Sequence, residues 1–322
     1  MSGATPISFE AQRPAPVGRL ATFADRWRRF WFEPVAPDNL GFCRLLFYGL
    51  LLYYFFPVHF VGWANVPESF RDPIWLFERF HLPILPDPAL PAAGAAFKAA
   101  LLLSCVGLGT RMSTAVAFLL GTYLIGMRYN FGKTDHVGAI LVFTMGILAL
   151  SRCGDAWSID SLGRRKRAQK RGEPNPAQVL SGEYRWPVRG VWVVMVMVFF
   201  AAGVAKVVQG GAAWVFSDHF AISLIQRYYD PSPPGNRIGL FVANHAWLAH
   251  TLAAAAVLVE LTIPLAMFSR RARLVLPPAL FLMQLGIGIV MNVWFTSFMY
   301  AYLFWVPWDR VLGKLRRQDR SA

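Results

Sequence analysis

The chain has 322 residues, of which 56% are hydrophobic, 15% aromatic and only 16% charged, with a net charge of +14. Soluble globular domains carry about 25% charged residues, so this composition argues against an ordinary water-soluble protein and for one that crosses a membrane several times. The positive charge fits basic cytoplasmic loops better than a nucleic-acid surface, and no nucleic-acid partner is expected.

Residues 1–39 are polar and carry Arg13, Arg19, Arg26, Arg28 and Arg29. Nothing in them predicts a cleaved signal peptide, because no apolar run precedes Leu40. The stretch RLATFADRWRRFWF (19–32) interleaves aromatic residues with arginines. That pattern predicts an amphipathic helix on the cytoplasmic face of the bilayer, with an unstructured basic extension as the alternative.

Crossing a hydrocarbon core of about 30 Å takes about 20 mostly apolar residues as a helix. The candidate stretches are 40–60, 92–108, 113–127, 136–152, 187–208, 245–268 and 274–306. The last would be about 50 Å long at 1.5 Å per residue, so a break near Met291–Asn292 is expected to split it in two. The fold class is therefore an all-α integral membrane protein with a bundle of about eight transmembrane helices, seven being the alternative.

Four basic clusters choose between the counts. They lie in the N-terminal segment, in the connection Arg152 to Arg185, at Arg270, Arg271 and Arg273, and in the tail from Arg310 to Arg320. Eight spans put all four on one side, which should be cytoplasmic together with both termini. The organisation expected is a cytoplasmic segment 1–39, a transmembrane domain 40–308 and a basic tail 309–322. Residues 163–178 are expected to be a basic loop against solvent or anionic headgroups. The stretch WVFSDHFAISLIQRYY (214–229) could form an interfacial or re-entrant helix. Cys43, Cys105 and Cys153 lack CxxC spacing and read as small buried hydrophobes.

Ionisable residues inside spans are costly and each calls for a reason. Lys206 falls near the outer end of the fifth span. The segment NFGKTDH supplies Asn130, Lys133, Asp135 and His136 at a similar depth, and Asn292 lies on the same side. Two readings of Lys206 stand together: a lysine snorkelling to the headgroups, or a lysine shielded by the small residues of AAGVA and able to act as a base. His136 could equally cap a helix or assist such a base. Deeper in the bundle, Arg44 and Glu260 are expected on the cytoplasmic half, where they could form a structural ion pair. His219, His245 and His250 do not have the spacing of a metal site, and no metal is expected. No P-loop, GxSxG or HExxH motif is present.

The segments NFGKTDH, WSID (157–160) and WPVRGVWVVMVMVFFAAGVAKVVQGGAAWV (186–215) resemble the membrane region of vitamin K-dependent gamma-carboxylases. In bacteria that region stands alone as the horizontally transferred transmembrane (HTTM) domain, and the resemblance runs from about Leu40 to Trp308. VELTIPLAMF and MNVWFTSFMYAYLF fit more loosely.

The resemblance implies a base at Lys206 that deprotonates a reduced quinone, with His136 implicated beside it. It implies a binding region drawn from Asn130, Lys133, Asp135, Trp214, Gln284 and Asn292. Gln284 lies near the place where the family carries a second histidine. The chain stops soon after Trp308, without the family's large soluble part, so a gamma-carboxylase-like lyase or quinol-oxidising enzyme is expected to lack the usual protein-substrate grip.

The implied partners are membrane lipids and a lipid-soluble quinone-like molecule in a bacterial inner membrane. A non-enzymatic accessory or immunity-like membrane protein, with Lys206 as an interfacial anchor and an unknown protein partner, is the rival expectation.

Overall fold

A computed structural model of the chain describes residues 23–132, 138–174, 179–230 and 236–318. Helices are the only extended regular elements among them, apart from two isolated bridges. In chain order they are α1 (Phe23–Phe32), α2 (Asp38–Phe55), α3 (Trp75–Arg79), α4 (Ala89–Val106), α5 (Thr110–Met127), α6 (Ala139–Leu150), α7 (Ile159–Lys170) and α8 (Trp186–Gly210). There follow α9 (Ala213–Phe216), α10 (His219–Tyr229), α11 (Arg237–Ala243), α12 (Ala246–Thr262), α13 (Leu265–Phe268), α14 (Arg270–Met291), α15 (Thr296–Ala301) and α16 (Trp308–Gln318).

Three segments are long and apolar enough to cross a membrane: Ala89–Val106, Gly182–Gly210 and Arg270–Met291. A fourth arises if α11 and α12, bent by 100° at their junction, count as one broken span. Helices α2 and α5 reach 18 residues, about 27 Å, but are less apolar, and α6 has only 12. Large apolar side chains cover the outside of the bundle. Leu150 is 81% exposed and Leu274 71%, as expected of residues facing lipid rather than water.

The main core is built by α2, α4, α5, α6, α8 and α15, with Phe47, Leu101, Met145, Val191 and Phe298 at its centre. A second small core, Ala221, Leu224, Val242 and Ala249, ties α10, α11 and α12 together. The long C-terminal apolar stretch does break at Met291: α14 ends there, and Asn292 takes a left-handed conformation at φ +52°.

Residues 163–178 are not simply a loop. Helix α7 covers the first of them, because Ser158 caps its N-terminus, accepting from Ser161 N–H, and Ser161 Oγ accepts in return from Ser158 N–H. Residues 175–178 lie outside the described residues. The tail likewise begins as helix α16.

The four arginine-rich segments meet at one end of the bundle. Arg185 pairs with Glu33, and Arg189 stands over the Phe30 ring. Tyr184 donates to Asp155, Arg273 stands over Trp192, and Trp308 N–H donates to Asn39.

Candidate functional site

Helix α8 owes its end to Gly211, whose φ of +55° breaks the helix before α9. This brings Trp214 over the last turn of α8. Gly203, one turn before Lys206, allows α12 to approach: a Cβ there would lie 2.9 Å from Glu260 Cβ and 3.2 Å from Leu261 N. At that close approach Lys206 Nζ donates to both oxygens of Glu260 at 2.5 Å. Glu260 is nearly closed off, its side chain 5% exposed, whereas that of Lys206 is 25% exposed.

On the open side of Lys206 lies a cavity of about 460 Å³, whose wall includes Gln209, Trp214, Ser217 and His219. The Trp214 ring is 5.7 Å from Lys206 Nζ and meets the His219 ring edge-on at 5.3 Å. Trp214 Nε1 is sealed off and has no hydrogen-bond partner among the described residues, so the Trp214 ring, not its N–H, faces the cavity. A half-open ammonium beside an aromatic ring in such a cavity is a place where a polar atom of a largely apolar molecule can be held.

The expected Arg44–Glu260 pair does not form. Gly203 faces Glu260 and Leu261, while Phe216 meets His250, so α8–α9 and α12 run antiparallel and Glu260 is level with Lys206. The expectation failed because it set the helix ends flush with one another. In fact α12 ends at Thr262, and α13 occupies the inner end of the 245–268 stretch.

Arg44 is fully buried at the other end of the bundle, where it donates to the Trp157 carbonyl. Trp157 itself takes φ +53°. Gly107, at φ +70°, sits so close that a Cβ would lie 2.0 Å from Arg44 Nη1 and 2.3 Å from Ser158 Cβ.

WSID is thereby an architectural clamp. Asp160 accepts from Gly109 N–H at 3.0 Å, Thr110 N–H at 2.7 Å and Thr110 Oγ1 at 2.7 Å, and its own N–H donates to Gly107 O at 3.1 Å. Burial pushes the Asp160 carboxyl up, but these hydrogen bonds, with help from Arg164, outweigh it and hold the group below its ordinary value.

Lys206 and Trp214 come together at one cavity. Asn130 does not join them: it is fully buried, its Oδ1 accepts from Ile74 N–H at 2.9 Å, and its Nδ2 donates to Met127 O at 3.1 Å. It pins the 61–91 connection, because equal depth along a bundle does not mean a shared face. Asn292 caps α14 and accepts from Trp294 Nε1 at 3.2 Å, away from the cavity wall. Gln284 is buried in α14 with Oε1 unpartnered, also off that wall. Lys133, Asp135 and His136 lie outside the described residues.

Gln209 and Ser217 belong to the cavity without any sequence signal that marks them, and His219, which the sequence marks only as an unsuitable metal ligand, joins them. Among the described residues no group of His, Cys, Asp and Glu could hold a metal ion. Compared with protein-family models, curated proteins and solved structures, the chain matches none.

Proposed function

We propose that the chain is an HTTM-type protein of a bacterial inner membrane, crossing it eight times with both termini cytoplasmic. The cavity beside Lys206 would bind a lipid-soluble molecule of the reduced-quinone class. The clustering of the arginine-rich segments at one bundle end supports the orientation. The eight rods would be α2, α4, α5, α6, α8, α12, α14 and α15, with shorter ones completed by adjoining turns. The ligand class rests on the resemblance of residues 186–215 to the carboxylase membrane region, and one observation carries it: a lysine–carboxylate pair, sealed on the Glu260 side, whose ammonium opens on a cavity walled by the Trp214 ring.

When bound, a reduced quinone supplies an acidic hydroxyl and, with oxygen, the driving force for further chemistry. Lys206 Nζ faces the cavity, and Glu260 stands behind it as the proton store. Nζ takes a proton from the cavity side as it passes one of its own to a Glu260 oxygen, so the net movement is one proton onto the carboxylate. Nζ stays positively charged throughout and stabilises an oxyanion left in the cavity. The Trp214 ring would stack against the ligand beside Nζ.

A second reading is favoured by the double hydrogen bond itself: Lys206 would simply fasten α8 to α12 in a non-enzymatic accessory or immunity-like membrane protein.

The test is purification into nanodiscs with extraction of bound small molecules, followed by titration with a reduced naphthoquinone. The ligand reading expects about one quinone per chain, lost in Trp214→Ala, and quinol-dependent redox turnover abolished in Lys206→Ala and Lys206→Arg, since arginine keeps its proton. Wild-type behaviour of Lys206→Arg would leave the fastening role standing and remove the proton-transfer one.

A further inference from the structure

The bundle end opposite the Lys206 cavity holds a second feature that the proposed function does not use. Arg189 lies in the first turns of α8 and is 6% exposed, yet among the described residues its Nε and Nη1 have no hydrogen-bond partner. Its guanidinium carbon stands 4.2 Å from the Trp192 ring centre and 4.6 Å from that of Phe30 on α1. Arg273, from the start of α14, stands over the same Trp192 at 4.6 Å, and its Nε and Nη2 are held by the carbonyls of Ala266 and Met267.

The charges that act on Arg189 are those of Arg273 and Arg185, both positive, and that of Glu33, negative. Glu33 is committed to Arg185, whose own Nε is buried without a partner. Among the described residues, three guanidiniums thus share one carboxylate.

Aromatic faces offset part of this cost, but buried charges are ordinarily paired, and unpaired guanidinium N–H groups are among the costliest to leave unmade. The missing element is an anion with several acceptor oxygens, matched to guanidinium forks. The cluster lies under α1, which leaves Phe23 81% exposed and Trp27 52% exposed, the mark of a helix resting in a headgroup layer.

We propose that Arg189, Arg273 and Arg185 form a phosphoryl-anion site beneath α1, and that its source is the headgroup of an anionic phospholipid of the adjoining leaflet. The lipid would act as the counter-charge that docks α1 onto the starts of α8 and α14. Arg189 Nε and Nη1 are sealed while the Phe30 ring of α1 stands over them, so the phosphate oxygens would accept from them as α1 lifts to seat on the headgroup, while the lipid chains follow the exposed apolar face of the bundle.

The full chain, delipidated and returned to phosphatidylcholine nanodiscs, is titrated with phosphatidylglycerol or with inorganic phosphate while its thermal midpoint is followed. Phosphatidylglycerol is expected to raise the midpoint of the wild type saturably. The concentration for half the effect should rise about tenfold or more in Arg189→Met and Arg189→Lys, as loss of a charge-assisted hydrogen bond requires. Arg28→Gln, which removes an equal charge from the exposed surface of α1, should respond like the wild type.

Arg189→Met removes an unpaired charge, so without anion it should be at least as stable as the wild type. An equal effect of inorganic phosphate, lost in the same variants, would support the site with a free anion as its source. No midpoint shift, or the same shift in Arg189→Met, Arg189→Lys and wild type, would overturn the proposal.

Discussion

The two ends of the bundle handle a buried charge in opposite ways. At the WSID end both oxygens of Asp160 are engaged by the α4–α5 turn, and Arg44 is walled in by Gly107, Ser158 and Trp157, bound to the Trp157 carbonyl with its Nε and Nη1 left without a partner among the described residues. At the Lys206 end one side of the ion pair is sealed by α12 and the other opens on a cavity. The first arrangement commits the Asp160 carboxylate to the α4–α5 turn and so locks helices in register, although clefts of about 330 and 570 Å³ border it at Trp157–Ser158 and at Thr110–Asp160. The second leaves a charged amine within reach of a ligand. What marks architecture at Asp160 is therefore a carboxylate whose oxygens are all taken by backbone and hydroxyl donors, and what marks the candidate site is an ammonium with one side left open to a cavity.

The comparison is broken most directly by filling the clamp. Gly107→Ala would place a methyl against Arg44 and Ser158 and force a non-glycine residue to φ +70°. A loss of about 3 kcal/mol or more is expected, read as collapsed yield and a lowered midpoint in detergent. Gly211→Ala meets no atom within 4 Å, so only its backbone conformation resists, at about 1–2 kcal/mol. Equal losses at the two glycines would show that the packing contrast is unreal.

Next in size is the pair itself. Glu260→Gln leaves the Lys206 ammonium facing a neutral amide, and because Lys206 is partly open to the cavity a loss of about 2 kcal/mol is expected, below the value for a sealed pair. Adding Lys206→Met to it should recover part of the loss. A double-mutant cycle with no coupling would remove the pair as a stabilising unit.

Smaller again is Asp160→Asn, which keeps the shape but weakens acceptance from the Gly109 and Thr110 N–H groups, at about 1–2 kcal/mol. The pH dependence sharpens it. The folded carboxyl lies below its ordinary value, so its contribution is present above the unfolded value of about 3.9. It is lost as pH falls through the folded value. Acid sensitivity below about pH 4 should therefore diminish in Asp160→Asn; unchanged acid unfolding would assign that sensitivity to other groups.

Much of the helical layout was legible before any coordinates. Apolar runs marked α2, α4, α5, α6, α8 and α12, and the length of 274–306 required the break that Asn292 makes. Arg-rich clusters marked one end of the bundle. Helix α7 was missed because eight residues of charge and small side chains outweighed the Ser158 cap, although the capping serine before Asp160 was there to be read.

The site was only half legible. Lys206 stood out as a charge in an apolar helix, and Gly203 as the place where a neighbour could close on it, because both are properties of one helix and its composition. The partner was not fixed that way. Whether Glu260 meets Arg44 or Lys206 depends on how far α12 is displaced along α8, and that offset is set by α13, the Ser269 turn and the small core under α10 and α11.

The same holds for Trp214, His219 and Arg189. Periodicity says that a side chain lies on a helix, but which face meets a cavity, an indole or another guanidinium is decided only when the helices pack. Sequence thus determined where charge and small residues sit along each rod, since burial of apolar length governs that. The tertiary structure alone decided which charges face one another, because rotation and axial offset are fixed by the sum of many weak contacts spread over distant segments.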